Sequence, residues 1–367
     1  MDKGSYRITD LERKYDGFLG PAVEIKLGGL KLDSTRIPIT SLEVDLSADG
    51  SAGSCSFTVD SLYNYETGTW AKAMIDGLKV GAKLEISGGY VKKEKLFYGY
   101  VDEYSMDYVG GGAPRLVIRG VDGLGYLMSC KDDYYAGDKG TAAAVKEILT
   151  KSVSAGFAKK VTVGSGLKDF ESPILKEEGM DDFTFLRVLA ERYGMALMCV
   201  DGELIFDSLW EPASAVTELE MGKGLLTFQK RFSTHGQVGK VSIWALDKNN
   251  KPVEGHADRV TTGGSGKSAA EHFSALKKAV LKEGCEFAVT ADECTRLAKA
   301  RLNGIAMNFV QGRGYCIGIP ELIPGRYLKI KSLMDNSSDE FFLSRVIHRF
   351  STDGYFCDFE VKGAKAK

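Results

Sequence analysis

Proline is scarce in this chain, eight of 367 residues, and there are only four histidines. No CxxC pair occurs among the seven cysteines at 55, 130, 199, 285, 294, 316 and 357. An odd, dispersed set of this kind gives neither a disulfide framework nor a zinc ribbon, and the thiols read as small buried hydrophobes. Charge of one sign is also lacking. Lys plus Arg number 48 against 50 Asp plus Glu, a net charge of −2. That excludes the basic field on which nucleic-acid binding depends. No apolar run approaches the length of a membrane-spanning helix; Met195–Val200 is among the longest. The opening Met1-Asp2-Lys3-Gly4-Ser5-Tyr6-Arg7 has no apolar core of a signal peptide, so synthesis in the cytoplasm is expected.

What is present is glycine (43), with 18 Phe and 16 Tyr, a balance that favours strands joined by glycine turns. The length predicts two or three domains with ample core. Residues 1–20 are polar and read as an N-terminal arm. Alternation then marks half-buried strands at Val23–Leu27, Leu42–Leu46, Cys55–Val59, Lys83–Ser87, Lys95–Tyr104 and Arg115–Gly120, a first β-barrel over 21–128. A short helix is expected near Trp70–Gly77, and Gly110-Gly111-Gly112 forms a loop between the last two strands.

A connecting α/β segment follows over 129–212. Thr141–Ser154 reads as a helix, and Asp181 caps a second whose Phe183, Leu186, Leu189, Ala190 and Tyr193 share one face up to Gly194. Asp201-Gly202 then turns a two-residue hairpin. Residues 213–367 read as a second β-barrel with a helical insertion at about 267–306. Within it, Ser268–Lys282 predicts one helix carrying Phe273, Leu276 and Val280, and the capping box Thr290-Ala291-Asp292-Glu293 opens another through Ala306. Lys362–Lys367 reads as a solvated tail. The fold class is thus α+β, mainly β, with two related antiparallel barrels.

Residue groups that carry chemistry are missing. The stretch from Thr261 to Ser268 has the GKS of a phosphate loop but Thr261 where the first glycine is required, so it is a glycine loop ending in a cap. His235, His256, His272 and His348 have no metal-ligand spacing. The pairs Asp132-Asp133, Glu177-Glu178 and Asp181-Asp182 are neighbours in sequence and do not face each other across a cleft. No catalytic, cofactor-binding or metal-binding residue is therefore assigned, no cofactor is expected, and the chain is not expected to be an enzyme.

Three blocks carry a resemblance. Gly20-Pro21-Ala22-Val23-Glu24-Ile25 leads through Cys55–Asp60 and Gly81–Ile86 to Val101-Asp102-Glu103. Asp181–Gly194 precedes the Asp201-Gly202 hairpin. Ala298–Leu302, Gly312-Arg313-Gly314 and Gly318–Gly325 precede Val346–Phe350 and Tyr355–Glu360. In order and spacing the chain resembles the phage late control gene D family, baseplate hubs of contractile tails, phage-like injection particles and type VI secretion spikes. The resemblance implies a homotrimer that joins a hexameric tail tube to a spike. It implies as partners the tube protein, a separate spike protein and other baseplate components, with no membrane and no sequence-specific nucleic acid. The product would be made in a bacterial cytoplasm and built into a tail or baseplate. A tail-associated peptidoglycan hydrolase, or a carbohydrate- or receptor-binding β module, is the alternative.

The chain also repeats itself. Gly81-Ala82-Lys83-Leu84-Glu85-Ile86 matches Gly325-Arg326-Tyr327-Leu328-Lys329-Ile330, and spacing from the glycine pairs Val101 with Val346. Two related barrels per chain would let three copies present six similar units to a sixfold tube.

Overall fold

A computed structural model of the chain describes residues 4–34, 39–60, 62–108, 110, 112–136, 139–208, 214–263, 266–331 and 338–367. Gly111, Gly264-Ser265 and the boundary drawn at 212/213 lie outside them.

The chain opens with helix α1 (Ile8–Lys14), then β1 (Ala22–Leu27), β2 (Leu30–Asp33), β3 (Ile39–Ser47) and β4 (Ser54–Val59). A two-residue hairpin, β5 (Tyr63–Asn64) and β6 (Thr69–Trp70), and helix α2 (Lys72–Gly77) precede β7 (Lys83–Gly89), β8 (Lys93–Asp107) and β9 (Arg115–Asp122). The described part of the expected arm, residues 4–20, is not a free tail. Leu11 and Tyr15 of the α1 region are 1% and 0% exposed, because the polar face of the segment hides two core anchors one helical turn apart.

The middle segment has α3 (Gly123–Leu127), α4 (Thr141–Ser154), β10 (Lys160–Val163), α5 (Asp182–Tyr193), β11 (Ala196–Val200) and β12 (Glu203–Asp207). Asp181 accepts from the Thr184 N–H and Gly194 is left-handed (φ 65°), so the cap and stop signals act as read. Asp201 and Gly202 both have positive φ (45° and 77°), as a type I′ turn requires. β10 pairs parallel to β12 and buries a separate core between α3, α4 and α5.

The last part contains β13 (Ala215–Met221), β14 (Gly224–Phe232), β15 (Lys240–Leu246), β16 (Pro252–Ala257), α6 (Ala269–His272), β17 (Val280–Gly284), α7 (Ala291–Ala306), β18 (Val310–Ile317), β19 (Tyr327–Lys331), β20 (Ser338–Ser351) and β21 (Gly354–Gly363). The helix expected over Ser268–Lys282 is replaced by α6, a 3-10 turn at Ser274–Lys278 and β17. Pairing of β17 beside β15, Lys240↔Val280 to Trp244↔Gly284, satisfies its backbone better than three apolar residues could hold a helix. Thr290 and Glu293 form the capping box of α7 as expected. The expected C-terminal tail is instead packed. Ala364 is fully buried, and Lys267 and Ala366 exchange backbone hydrogen bonds. Small alanines alternate there with lysines, which is strand patterning with charged outward residues.

Thirteen strands form one sheet in the order β19-β13-β14-β18-β21-β20-β3-β4-β9-β8-β7-β1-β2, and β19 also pairs with β20. Strands β13, β14 and β18 to β21 thereby close a six-stranded barrel. The remaining seven roll around the same hydrophobic cluster, and among the described residues their ends do not pair with each other. The order β3-β4-β9-β8-β7 equals β14-β18-β21-β20-β19, antiparallel throughout.

One local device is shared in detail. Gly81 donates its N–H to the Val101 carbonyl (2.8 Å), and Val101 N–H donates to Ala82 (2.9 Å). Gly325 does the same to Leu343 (2.9 Å), and Leu343 to Arg326 (2.8 Å). Both glycines are left-handed, φ 79° and 81°. A register shift follows at once in each copy, Val101/Glu103 and Leu343/Arg345. Leu343, not Val346, is therefore the counterpart of Val101. Residue counting across unequal β7–β8 and β19–β20 connections misplaced it.

Candidate functional site

The sequence-marked groups stay apart. Asp182 is fully buried and held by Lys176 (2.6 Å) and Lys151 (2.7 Å), and Lys151 also bonds Asp132 (2.8 Å). Burial works against the Lys151 ammonium, yet the two carboxylates outweigh it and raise its pKa. This ion cluster clamps the start of α5 to α4 and engages both Asp132 and Asp182 with lysines. Ser268 and Glu271 cap α6 reciprocally, so that end of the glycine loop is a helix start. Among the described residues, no group of three or more His, Cys, Asp or Glu side chains could hold a metal ion. No helix among them is long and apolar enough to cross a membrane.

The cysteines are unpaired. Burial pushes the thiols of Cys55, Cys199 and Cys316 up, as for inert core residues. Register brings three groups together that the sequence keeps apart: Cys316 faces Cys357 across β18–β21, and Cys357 faces His348 across β20–β21. His348 Nδ1 lies 3.3 Å from Cys357 Sγ and 2.8 Å from Tyr355 Oη. Such a couple could activate a nucleophile, but His348 and Cys357 are both fully buried, and no substrate reaches them. Only the strand register could have revealed it.

A carbohydrate-binding module would present exposed aromatic rings to a sugar. Tyr63, Tyr65, Trp70 and Tyr108 cluster edge-to-face around the β5–β6 hairpin. Trp70 Nε1 donates to Tyr108 Oη (2.8 Å), so these rings also pack on one another.

The surface that distinguishes the molecule is the outward face of the long sheet where its halves meet. Strand β20 pairs with β3 over seven residues, from Arg345↔Ser47 to Ser351↔Ser41. Val44, Leu46, Val346 and His348 point inward, and the alternate positions form a charge ladder. Arg345 takes both carboxylate oxygens of Asp45, and the neighbouring Arg349 bonds Glu43 and Asp358. Arg313 adds an ion pair to Glu360 (3.1 Å). Asp45 raises the pKa of the Arg345 guanidinium.

Behind the seam, the N-terminal segment ties both halves. Lys14 bridges Glu94 of β8 (2.8 Å) and Glu321 (2.6 Å), and Tyr15 Oη donates to Glu321 (2.7 Å). Tyr15, Phe18, Tyr90, Tyr355 and Phe350 form a continuous run of ring contacts between the two halves. Burial, more than the adjacent Glu321, pushes the Tyr15 hydroxyl far up, which keeps it a neutral donor. The arrangement joins the two halves of the one long sheet beneath an ordered polar face.

Residues 22–352 match the family model described as the Alg8 N-terminal domain. That match does not confirm the late control gene D family which the sequence blocks resemble. No curated protein matches the chain. The chain is similar in fold to the 43 kDa tail protein of prophage MuSo2 from Shewanella oneidensis, with 18% identity, TM-score 0.71, and 94% of this chain and 99% of that one covered. It is similar to a tail protein from Neisseria meningitidis, with 15% identity, TM-score 0.68, and 94% and 96% covered. The E. coli c3393 protein, a type VI secretion component likened to T4 tail proteins gp27 and gp5, matches with 12% identity and TM-score 0.56, and 94% and 78% are covered. The fold is that of tail proteins.

Proposed function

The chain belongs to the Alg8 N-terminal domain family, and on that premise and its tail-protein fold we propose that it is a structural baseplate hub subunit of a contractile tail or injection machine. In this reading it works as late control gene D hubs do: a homotrimer joins the hexameric tail tube to a separate spike protein, beside other baseplate components. It is made in a bacterial cytoplasm and acts in the particle, without cofactor or catalysis.

One observation supports this most. The chain carries the same five-strand unit twice, and pairing of β3 with the far half of β20 joins the two into one sheet. Three such chains around an axis supply six near-equivalent units, which lets a threefold object meet a sixfold ring. The domain division proposed with it is an N-terminal segment 1–20, units over 21–128 and 213–367, and the connector 129–212 between them. Native mass spectrometry of the purified chain mixed with its tube protein tests the stoichiometry. Three copies per six tube subunits is the expected result, and two, four or six copies per hub would refute the hub reading.

A further inference from the structure

A cleft of about 650 Å3 opens at the carboxyl end of α5, between the loop after β10, the Thr261 segment and α7. Its charge has one sign. Lys168, Arg192, Arg296 and Lys299 line it, and among the described residues no Asp or Glu does. Arg296 is engaged already: it donates to the carbonyls of Lys168 (2.7 Å) and Asp169 (3.1 Å) and lies 3.2 Å from Asp292. The other three cations make no ion pair among the described residues.

Arg192 is the telling one. Its guanidinium sits 3.4 Å from the centroid of the Phe287 ring, and its Nε is buried with no hydrogen-bond partner. Burial lowers its pKa, the mark of a desolvated charge without a counter-ion. A half-buried guanidinium in this state costs free energy until an anion meets it. A cation in the last turn of α5 does oppose the helix dipole, which accounts for Arg192 alone. It does not account for Lys168 and Lys299, which reach the same cleft from two other elements, or for the orphaned Nε.

The cleft is also pre-formed. Thr261 N–H donates to Asn303 Oδ1 (3.0 Å) and Asn303 Nδ2 donates back to Thr261 Oγ1 (2.9 Å), fixing that wall to α7. Phe170 packs edge-on against Tyr193 and Phe287 and beneath Arg296, fixing the other. Pre-formed walls lower the ordering cost of binding.

The kind of anion follows from the donors. Compact phosphates are held by backbone N–H groups at helix N-termini or nests. This cleft meets the carboxyl end of α5, whose carbonyl dipoles disfavour a concentrated dianion. Its cations come from three separate elements, the loop after β10, α5 and α7, which suits several carboxylates carried on one chain better than a single compact anion. We propose that the cleft binds an acidic segment of a partner protein, Asp or Glu carboxylates meeting Arg192, Lys168 and Lys299. The inference rests on the cleft alone and stands or falls apart from the hub reading.

The probe is a fluorescein-labelled hexaglutamate peptide, titrated with the full chain and followed by fluorescence anisotropy. Saturable binding that weakens as salt rises is expected. Lys168→Glu with Lys299→Glu should weaken it by at least about tenfold, as two reversed contacts imply. Both lysines are exposed, so the thermal melting curve should stay unchanged. Lys277→Glu with Lys278→Glu, an exposed pair outside the cleft, should leave the affinity as it was. Absence of saturable binding would overturn the proposal. So would an equal loss in both charge-reversed pairs, or displacement of the peptide by pyrophosphate at lower concentration than by unlabelled hexaglutamate.

Discussion

The two halves of the long sheet share five strands, their order, a left-handed glycine and a bulge, yet they fill their interiors in opposite ways. Phe57 faces Ile118 across β4–β9, while the corresponding pair across β18–β21 is Gly314 and Phe359. One step along, Cys55 faces Gly120 in the first half and Gly312 faces Val361 in the second. A Cβ on Gly314 would stand 2.2 Å from the Phe359 ring, and one on Gly120 would stand 2.5 Å from Leu84. Each glycine is therefore required by the bulk of a neighbour. Backbone geometry is what the halves have in common, and side-chain volume was redistributed between facing strands. That explains why the likeness shows weakly in sequence: paired positions hold complementary rather than similar residues.

The halves also differ in closure. Met221 and Leu225 pair across a tight turn with left-handed Gly222 and Gly224, which closes the second ring. In the first half, β1 instead turns back through Gly28-Gly29 into β2. Because one hydrophobic cluster serves both, the open half should not unfold by itself. Phe57→Ala and Phe359→Ala should each cost about 3–5 kcal/mol, the largest effects foreseen here, within a single cooperative transition. Denaturant unfolding followed by hydrogen exchange checks this. If Phe57→Ala released the first half while amides of β18–β21 stayed protected, the single-core account would fail.

A smaller effect separates the halves by pH. Asp122 ends β9 and accepts from Gly53 N–H (2.7 Å) and Leu124 N–H (2.8 Å), and its counterpart in β21 is Gly363. Burial raises its pKa to about 7 against the hydrogen bonds that lower it. The folded state then holds a proton that the unfolded chain releases near pH ~4. Its contribution is complete below about pH 4 and is lost as pH rises toward 7. Wild type should thus lose stability relative to Asp122→Asn across that window, on the order of 1–3 kcal/mol, read from urea midpoints at stepped pH. A gap that stays constant, or that widens in favour of wild type as pH rises, would contradict the assignment.

Local signals in the sequence were faithful where both partners of an interaction lie close in the chain. Asp181 and Gly194 bound α5, Asp201-Gly202 turns its hairpin, and Thr290 with Glu293 opens α7. Alternation located β1, β3, β4, β7, β8 and β9, and a mainly β fold follows from it. The failures share one cause. Tyr15 is a core anchor only because Tyr90 and Glu321 come from distant segments to receive it, and Lys14 beside it reaches Glu94 of β8. Strand β17 depends on β15, and the packing of Ala364–Ala366 depends on Lys267. The charge ladder needs β3 beside β20, and the anion cleft needs three elements at once. Register between remote segments is absent from a local pattern.

That seam offers the finest comparison. Arg345–Asp45 crosses between halves, and Arg119–Glu103 makes a similar cross-strand ion pair within the first half. Side chains of the seam pair are 41% and 21% exposed, against 62% and 57% for the internal pair. Partial burial weakens screening, and the two-pronged guanidinium contact fixes the geometry, so the seam pair should couple more strongly. Neither effect is large, since the backbone ladder and the core behind it carry the seam. A double-mutant cycle on Arg345→Ala and Asp45→Ala should give a coupling of about 0.5–1 kcal/mol in denaturant unfolding, and the cycle on Arg119→Ala and Glu103→Ala about 0–0.3 kcal/mol. Equal couplings would show that the ladder adds no stability at the junction. Its charges would then matter only for what docks on that face.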